Sequence, residues 1–146
     1  MKKVLIPLAV FVVVTGFVAT YDDAKGGRPL SAVLLPENEV PPCTAQSGSS
    51  GTFEMTLNPG QGIVTYELTA ENIDPATFAH IHRGEAGVVG GVVVPLNAPV
   101  GGYSSGEHAI SKELAKEILK NPEAFYVNVH NAICPGGAIR GQLSKK

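Results

Sequence analysis

The stretch TFEMTLNPGQGIVTYEL, residues 52–68, constrains the fold more than any other part of the chain. Phe53, Met55 and Leu57 alternate with Thr52, Glu54 and Thr56. After the turn NPGQG, Val64, Tyr66 and Leu68 alternate with Thr65 and Glu67. Successive side chains of a strand point to opposite faces, so this period of two describes a β-hairpin with one apolar face.

The rest of the chain repeats the theme. LSAVLL (30–35), FAHIH (78–82), GVVVPL (91–96), AFYVNVH (124–130) and GAIRGQL (137–143) read as short strands between turn-forming stretches such as NIDPAT and RGEAG. PENEVPPCTAQSGSSG, residues 36–51, is a long loop, because its prolines and Ser/Gly run supply no regular ladder. SKELAKEILKNP, residues 111–122, is the one helical stretch: Ser111 caps it, Leu114 and Ile118 share a face, and Pro122 stops it. With 17 Gly, 11 Pro and no Trp, composition also favours many turns. The expectation is an all-β antiparallel sandwich or barrel with one short helix, a single domain over residues 29–144.

Ahead of that domain, MKK and the apolar run VLIPLAVFVVVTGFVA have the pattern of an export signal. Phe17 is bulky where a small residue would precede the cleavage site at Ala19, so residues 1–20 read either as a cleaved signal peptide or as a retained membrane anchor. Residues 21–28 form a polar linker. The chain is thus expected outside the cytoplasm, secreted or anchored. Its 11 Lys and Arg against 13 Asp and Glu give no basic footprint for nucleic acid. Two cysteines in an exported chain, Cys43 and Cys134, are expected to form one disulfide.

The same alternation sorts the chemistry-bearing residues. In AHIHR, Ala79 and Ile81 face the core while His80 and His82 share the opposite face. In YVNVH, Val127 and Val129 turn inward and Tyr126, Asn128 and His130 outward. In AIRGQL, Ile139 and Leu143 turn inward and Arg140 and Gln142 outward. Were these strands neighbours, the imidazoles of His80, His82 and His130 and the Arg140 guanidinium would share one external patch. Neutral imidazoles with an open further position suit copper or zinc. The competing reading makes them surface histidines bonded to nearby loops. His108, in the turn-like SSGEHAI, is a weaker fourth ligand.

Other readings stay beside these. Cys134, four residues after His130, is an alternative thiolate ligand. A blue-copper site would also want an axial Met, and Met55 falls on the core face. Arg140 and Gln142 can instead tie loops down through backbone carbonyls, and Asn128 invites the same reading. Glu37, Glu39 and Glu85 are expected to be solvated loop residues, with Glu85 placed to orient a histidine from behind. GSSG at 48–51 follows Pro-rich loop sequence and is no nucleophile elbow; the glycines at 84, 87, 90 and 91 precede a strand and lack the helix N-terminus of a phosphate site.

EVPP, AHIHRGEAGVVGGVVVPL and YVNVHNAICPGGAIRGQL together resemble the CHRD domain, the module repeated in chordin and found alone in many microbial exported proteins. The resemblance spans residues 30–143 and implies an extracytoplasmic β-rich domain. A weaker similarity, to Cu/Zn superoxide dismutase, implies a Greek-key β-sandwich or barrel with His80, His82 and His130 as copper ligands and Arg140 guiding an anion. The histidine that bridges two metals in that family and its zinc-binding loop have no counterpart here, which leaves a copper site alone. The expectation is therefore a binding module that holds copper, with zinc as runner-up. The alternatives are an extracellular protein-interaction or adhesion domain without metal, and, less favoured, a copper-dependent oxidoreductase.

Overall fold

The structure, a computed structural model, describes residues 27–146. The export segment assigned to residues 1–20 and nearly all of the linker lie outside the described residues. Nine strands and one α-helix follow: β1 (Arg28–Leu34), β2 (Ser50–Asn58), β3 (Ile63–Glu71), β4 (Ala76–Arg83), β5 (Val92–Leu96), β6 (Tyr103–Ala109), α1 (Lys112–Lys120), β7 (Phe125–Asn131), β8 (Ile139–Gln142) and β9 (Ser144–Lys145). They form two antiparallel sheets, ordered β6-β3-β2-β1-β9 and β5-β4-β7-β8. The fold is the all-β sandwich expected from the alternation. β6 returns beside β3 over the β4–β5 hairpin of the other sheet, a Greek-key type of connection.

The 52–68 hairpin is present in the register its pattern requires. Phe53 faces Leu68, Met55 faces Tyr66 and Leu57 faces Val64, and all six side chains are buried. They meet Ala79, Ile81, Val94, Val127, Val129 and Ile139 of the second sheet in one continuous core. Burying such side chains contributes roughly 1.5–3 kcal/mol each. The helix closes one end of the sandwich. Ser111 accepts the Leu114 backbone N–H at 3.0 Å, Ala115 and Ile118 are buried, and Glu117 holds Arg83 at the end of β4 through a two-pronged ion pair.

Cys43 and Cys134 are joined, with Cα atoms 6.3 Å apart. The bridge spans a sequence separation of 91 residues, for which restriction of the unfolded chain amounts to about 4.6 kcal/mol. It also removes the thiolate that would have made Cys134 a metal ligand. Among the described residues no helix is long and apolar enough to cross a membrane.

One expectation needs correction. The face of the second sheet that carries His80, His82, Tyr126, Asn128 and Arg140 does point away from the core, but it is not an open surface. β7 is buried on both faces except at His130, and Arg140, 1% exposed, heads the fully buried side chains by volume. The loop after β1, the β4–β5 loop and the β7–β8 loop fold back over this face. Alternation reports the side relative to the core and carries no information about loops that return across the other side.

Candidate metal centre

β4 and β7 are neighbours, and their register places the histidines together. His80 pairs with Asn128, His82 with Tyr126 and Phe78 with His130, so His130 stands diagonally across from His80. Ring centroids are 5.1 Å apart for His80 and His130, 5.5 Å for His80 and His82, and 6.2 Å for His82 and His130. One nitrogen from each ring lies within 4.8 Å of the others. Imidazoles bound to one zinc ion at about 2.0–2.1 Å hold their nitrogens roughly 3–4 Å apart. Small ring rotations therefore close the set.

Backbone carbonyls decide which nitrogens are free. His130 Nδ1–H donates to the Pro135 carbonyl at 2.9 Å, and His82 Nδ1–H donates to the Gly90 carbonyl at 2.9 Å. A carbonyl only accepts, so both rings carry the proton on Nδ1 and present the Nε2 lone pair to the cluster. His80 Nδ1 lies 3.2 Å from His130 Nε2 and is the donor of that pair. His82 Nε2 is buried without a well-formed hydrogen bond, and the Asn128 side chain lies against the ring. A buried polar atom without a well-formed bond is uncommon in a folded protein, and Asn128 Oδ1 beside it is in the same state. Carbonyl or carboxylate partners behind metal-binding histidines are the usual way such rings are oriented.

Burial also sets the protonation of two of the rings. The His80 pKa is pushed down from 6.5 to about 4 by burial, with the neighbouring His130 and His82 adding repulsion. Burial lowers the His82 pKa as well, against the bond to Gly90 that favours its charged form. Both rings are neutral at neutral pH, as a ligand must be.

Behind the imidazoles stands a stack. The Tyr126 ring lies 4.8 Å from His82 and within 6° of parallel, and the Arg140 guanidinium sits 3.4 Å from the Tyr126 ring centroid. β7 runs between β4 and β8, so the tyrosine separates the histidine from the arginine. Arg140 Nη2 donates to the Glu85 carbonyl at 2.9 Å and to Gln142 Oε1 at 3.1 Å. Gln142 Nε2 in turn meets the carbonyls of Gly84, Glu123 and Phe125. Arg140 and Gln142 thus lie in a network that holds the β4–β5 loop. Asn128 lies in the same row, against both Glu39 and His82.

The acidic loop residues divide. Glu37 and Glu85 are exposed, and Glu85 meets Arg140 through its backbone carbonyl. Glu39 corrects the expectation of a solvated carboxylate: it is 5% exposed, lying against Gly137 so closely that no side chain fits there. Burial raises its pKa from 4.5 to about 7, opposed by the Arg140 charge and by a hydrogen bond from Asn128. Nothing local marks Glu39 as different from Glu37; the three prolines around it restrict the loop, and only the fold turns the side chain inward. The turn-like reading of SSGEHAI is corrected too: His108 stands on strand β6 of the other sheet, paired with Val64 and stacked on Tyr66 at 5.8 Å, and it is not among the three clustered nitrogens.

The model of the CHRD domain family matches residues 30–143 of the chain. No curated protein matches it, and no solved structure does.

Proposed function

The chain belongs to the CHRD domain family, and on that premise we propose that it is an extracytoplasmic binding module that holds a transition metal, copper in preference to zinc, through His80, His82 and His130. The observation that carries the reading is the geometry of the cluster: three imidazole nitrogens within 4.8 Å, two of the rings held with Nε2 unprotonated by carbonyls behind them. An all-nitrogen neutral set favours copper over zinc in the ordinary affinity order. Arg140 is assigned a structural part, since its guanidinium is buried and engaged with Tyr126, Gln142 and the Glu85 carbonyl. Asn128 is assigned to the support of His82, and the reading includes no catalytic turnover.

The test is metal content of the untagged domain, followed by titration with copper and zinc, beside the variant His80→Ala, His82→Ala, His130→Ala. The expected result is near-stoichiometric metal in the parent and a loss of orders of magnitude in affinity in the variant. Weak binding equal in both proteins sinks the assignment. A second reading, a protein-interaction surface, is favoured by the apolar residues around the imidazoles: Phe78, 62% exposed and stacked beside His80, with Val88, Val89 and Ile133 exposed on the flanking loops. Under it the triple variant loses stability and no metal.

A further inference from the structure

We infer that the Cys43–Cys134 disulfide is a redox lock on the three-histidine site, which has its full affinity for metal only when the bridge is closed. The inference rests on the metal reading above and concerns how that site is assembled.

Cys134 is the residue immediately before Pro135, whose carbonyl holds His130 in the tautomer that frees Nε2. The β7–β8 loop that carries both is tied internally by short-range bonds: Cys134 N–H donates to Asn131 Oδ1 at 2.7 Å, and Gly137 N–H donates to the Cys134 carbonyl at 3.1 Å. Its connection to the loop after β1 is the disulfide together with the contact of Glu39 on Gly137. Pro135 and Gly136 are exposed, so little apolar burial holds this turn in place. Loops of that kind open at small free-energy cost. Once the bridge is broken, Pro135 is held against His130 only by the hydrogen bonds of its own turn and of the turn to β7; whenever that turn opens the ring can carry its proton on Nε2 instead, and the lone pair the metal needs is lost.

The bridge is accessible from one side. Cys43 is 7% exposed, whereas Cys134 is only partly buried. A dithiol therefore attacks at the Cys134 sulfur: its thiolate bonds to Cys134 Sγ, the S–S bond breaks, and Cys43 leaves as a thiolate that takes up a proton. The second thiol of the reagent then displaces Cys134, leaving an oxidised dithiol and two protein thiols. In a reducing compartment the chain would hold an unlocked site. Metal capture would follow disulfide formation.

The test compares zinc affinity, by chelator competition, in the oxidised untagged protein and in the double variant Cys43→Ser, Cys134→Ser. Zinc is not reduced by thiols, and the variant has no sulfur to act as a substitute ligand. At least about tenfold weaker binding is expected, with unchanged far-ultraviolet dichroism. Nitrogen NMR should show His130 moving from the Nδ1–H tautomer to a mixture. Equal affinity in the two proteins overturns the lock and leaves the metal reading standing; absence of both zinc and copper binding in the oxidised parent overturns both. Should the variant fail to fold, zinc-loaded parent protein is titrated with a phosphine reductant, which does not chelate zinc as a dithiol does, while emerging thiols are alkylated. Release in step with thiol appearance, before dichroism falls, supports the lock, and retention through complete reduction overturns it.

Discussion

Gly90 acts on the site with backbone atoms alone. Its carbonyl accepts from His82 Nδ1–H at 2.9 Å and its N–H donates to the Tyr126 hydroxyl at 3.2 Å. A Cβ at this position would lie 1.6 Å from the Arg83 carbonyl oxygen, so the β4–β5 loop can cross β4 this closely only where there is no side chain. Gly90→Ala is therefore expected to cost about 2–4 kcal/mol and to weaken metal binding as well, checked by urea denaturation and zinc titration on the same sample. Glu39 makes a prediction about pH. Its pKa is raised from 4.5 to about 7, so in that window the folded protein keeps a proton the unfolded chain has released, and stability falls as pH rises. His80 has the opposite sign: with its pKa lowered from 6.5 to about 4, stability falls as pH drops through that window. Glu39→Gln removes the first effect only. Relative to the parent it should gain about 1–3 kcal/mol between conditions below pH 4.5 and above pH 7, read from urea midpoints; an unchanged difference would show that Glu39 is solvated.

At the scale of elements, strands and helix differ in how much of their role is local. The β2–β3 hairpin is set by its own alternation and by a tight connection, in which Asn58 Oδ1 accepts the N–H groups of Gly60 and Gln61. α1 is set by its cap and its Ala115–Ile118 face. Ser111→Ala should cost about 1 kcal/mol, seen in thermal unfolding, and leave zinc affinity unchanged, because α1 supplies no ligand. β4 and β7 are different. Each strand is legible from its pattern, yet the site depends on their pairing across 50 residues of sequence, with His80 opposite Asn128. A shift of one residue would send the histidines of one strand to the core. That register follows from packing Ala79, Ile81, Val127 and Val129 against the first sheet, which is where the histidine face gets its precision.

For the whole molecule, the proposed metal site makes a prediction about stability. A ligand that binds only the folded state at a hundredfold excess over its Kd adds about 2.7 kcal/mol. Copper or zinc should therefore raise the unfolding temperature of the parent domain by several degrees and leave that of the His80→Ala, His82→Ala, His130→Ala variant unmoved; an equal shift in both would place the metal elsewhere. The disulfide belongs to this scale too. It joins the loop after β1 to the loop after β7, so on the proposed reading the stability of the domain and the order of the three histidines would share one covalent tie.

The amino-acid sequence by itself determined seven of the nine strands, the hairpin, the capped helix, and the side of each of those strands that faces the core, because period-two alternation and turn chemistry act over a few residues; β6, rich in Ser and Gly, and the two-residue β9 carry no such alternation and became strands only by pairing with β3 and β1. It also determined that His80, His82 and His130 lie off the core. Only the tertiary structure decided that β4 and β7 adjoin, that loops cover the histidine face and bury Arg140 and Glu39, and that the lone pairs of His82 and His130 converge. The groups responsible for that convergence are the carbonyls of Gly90 and Pro135. Every residue has a carbonyl, so no side-chain pattern distinguishes the two that matter; only the path of the folded backbone brings them behind the rings.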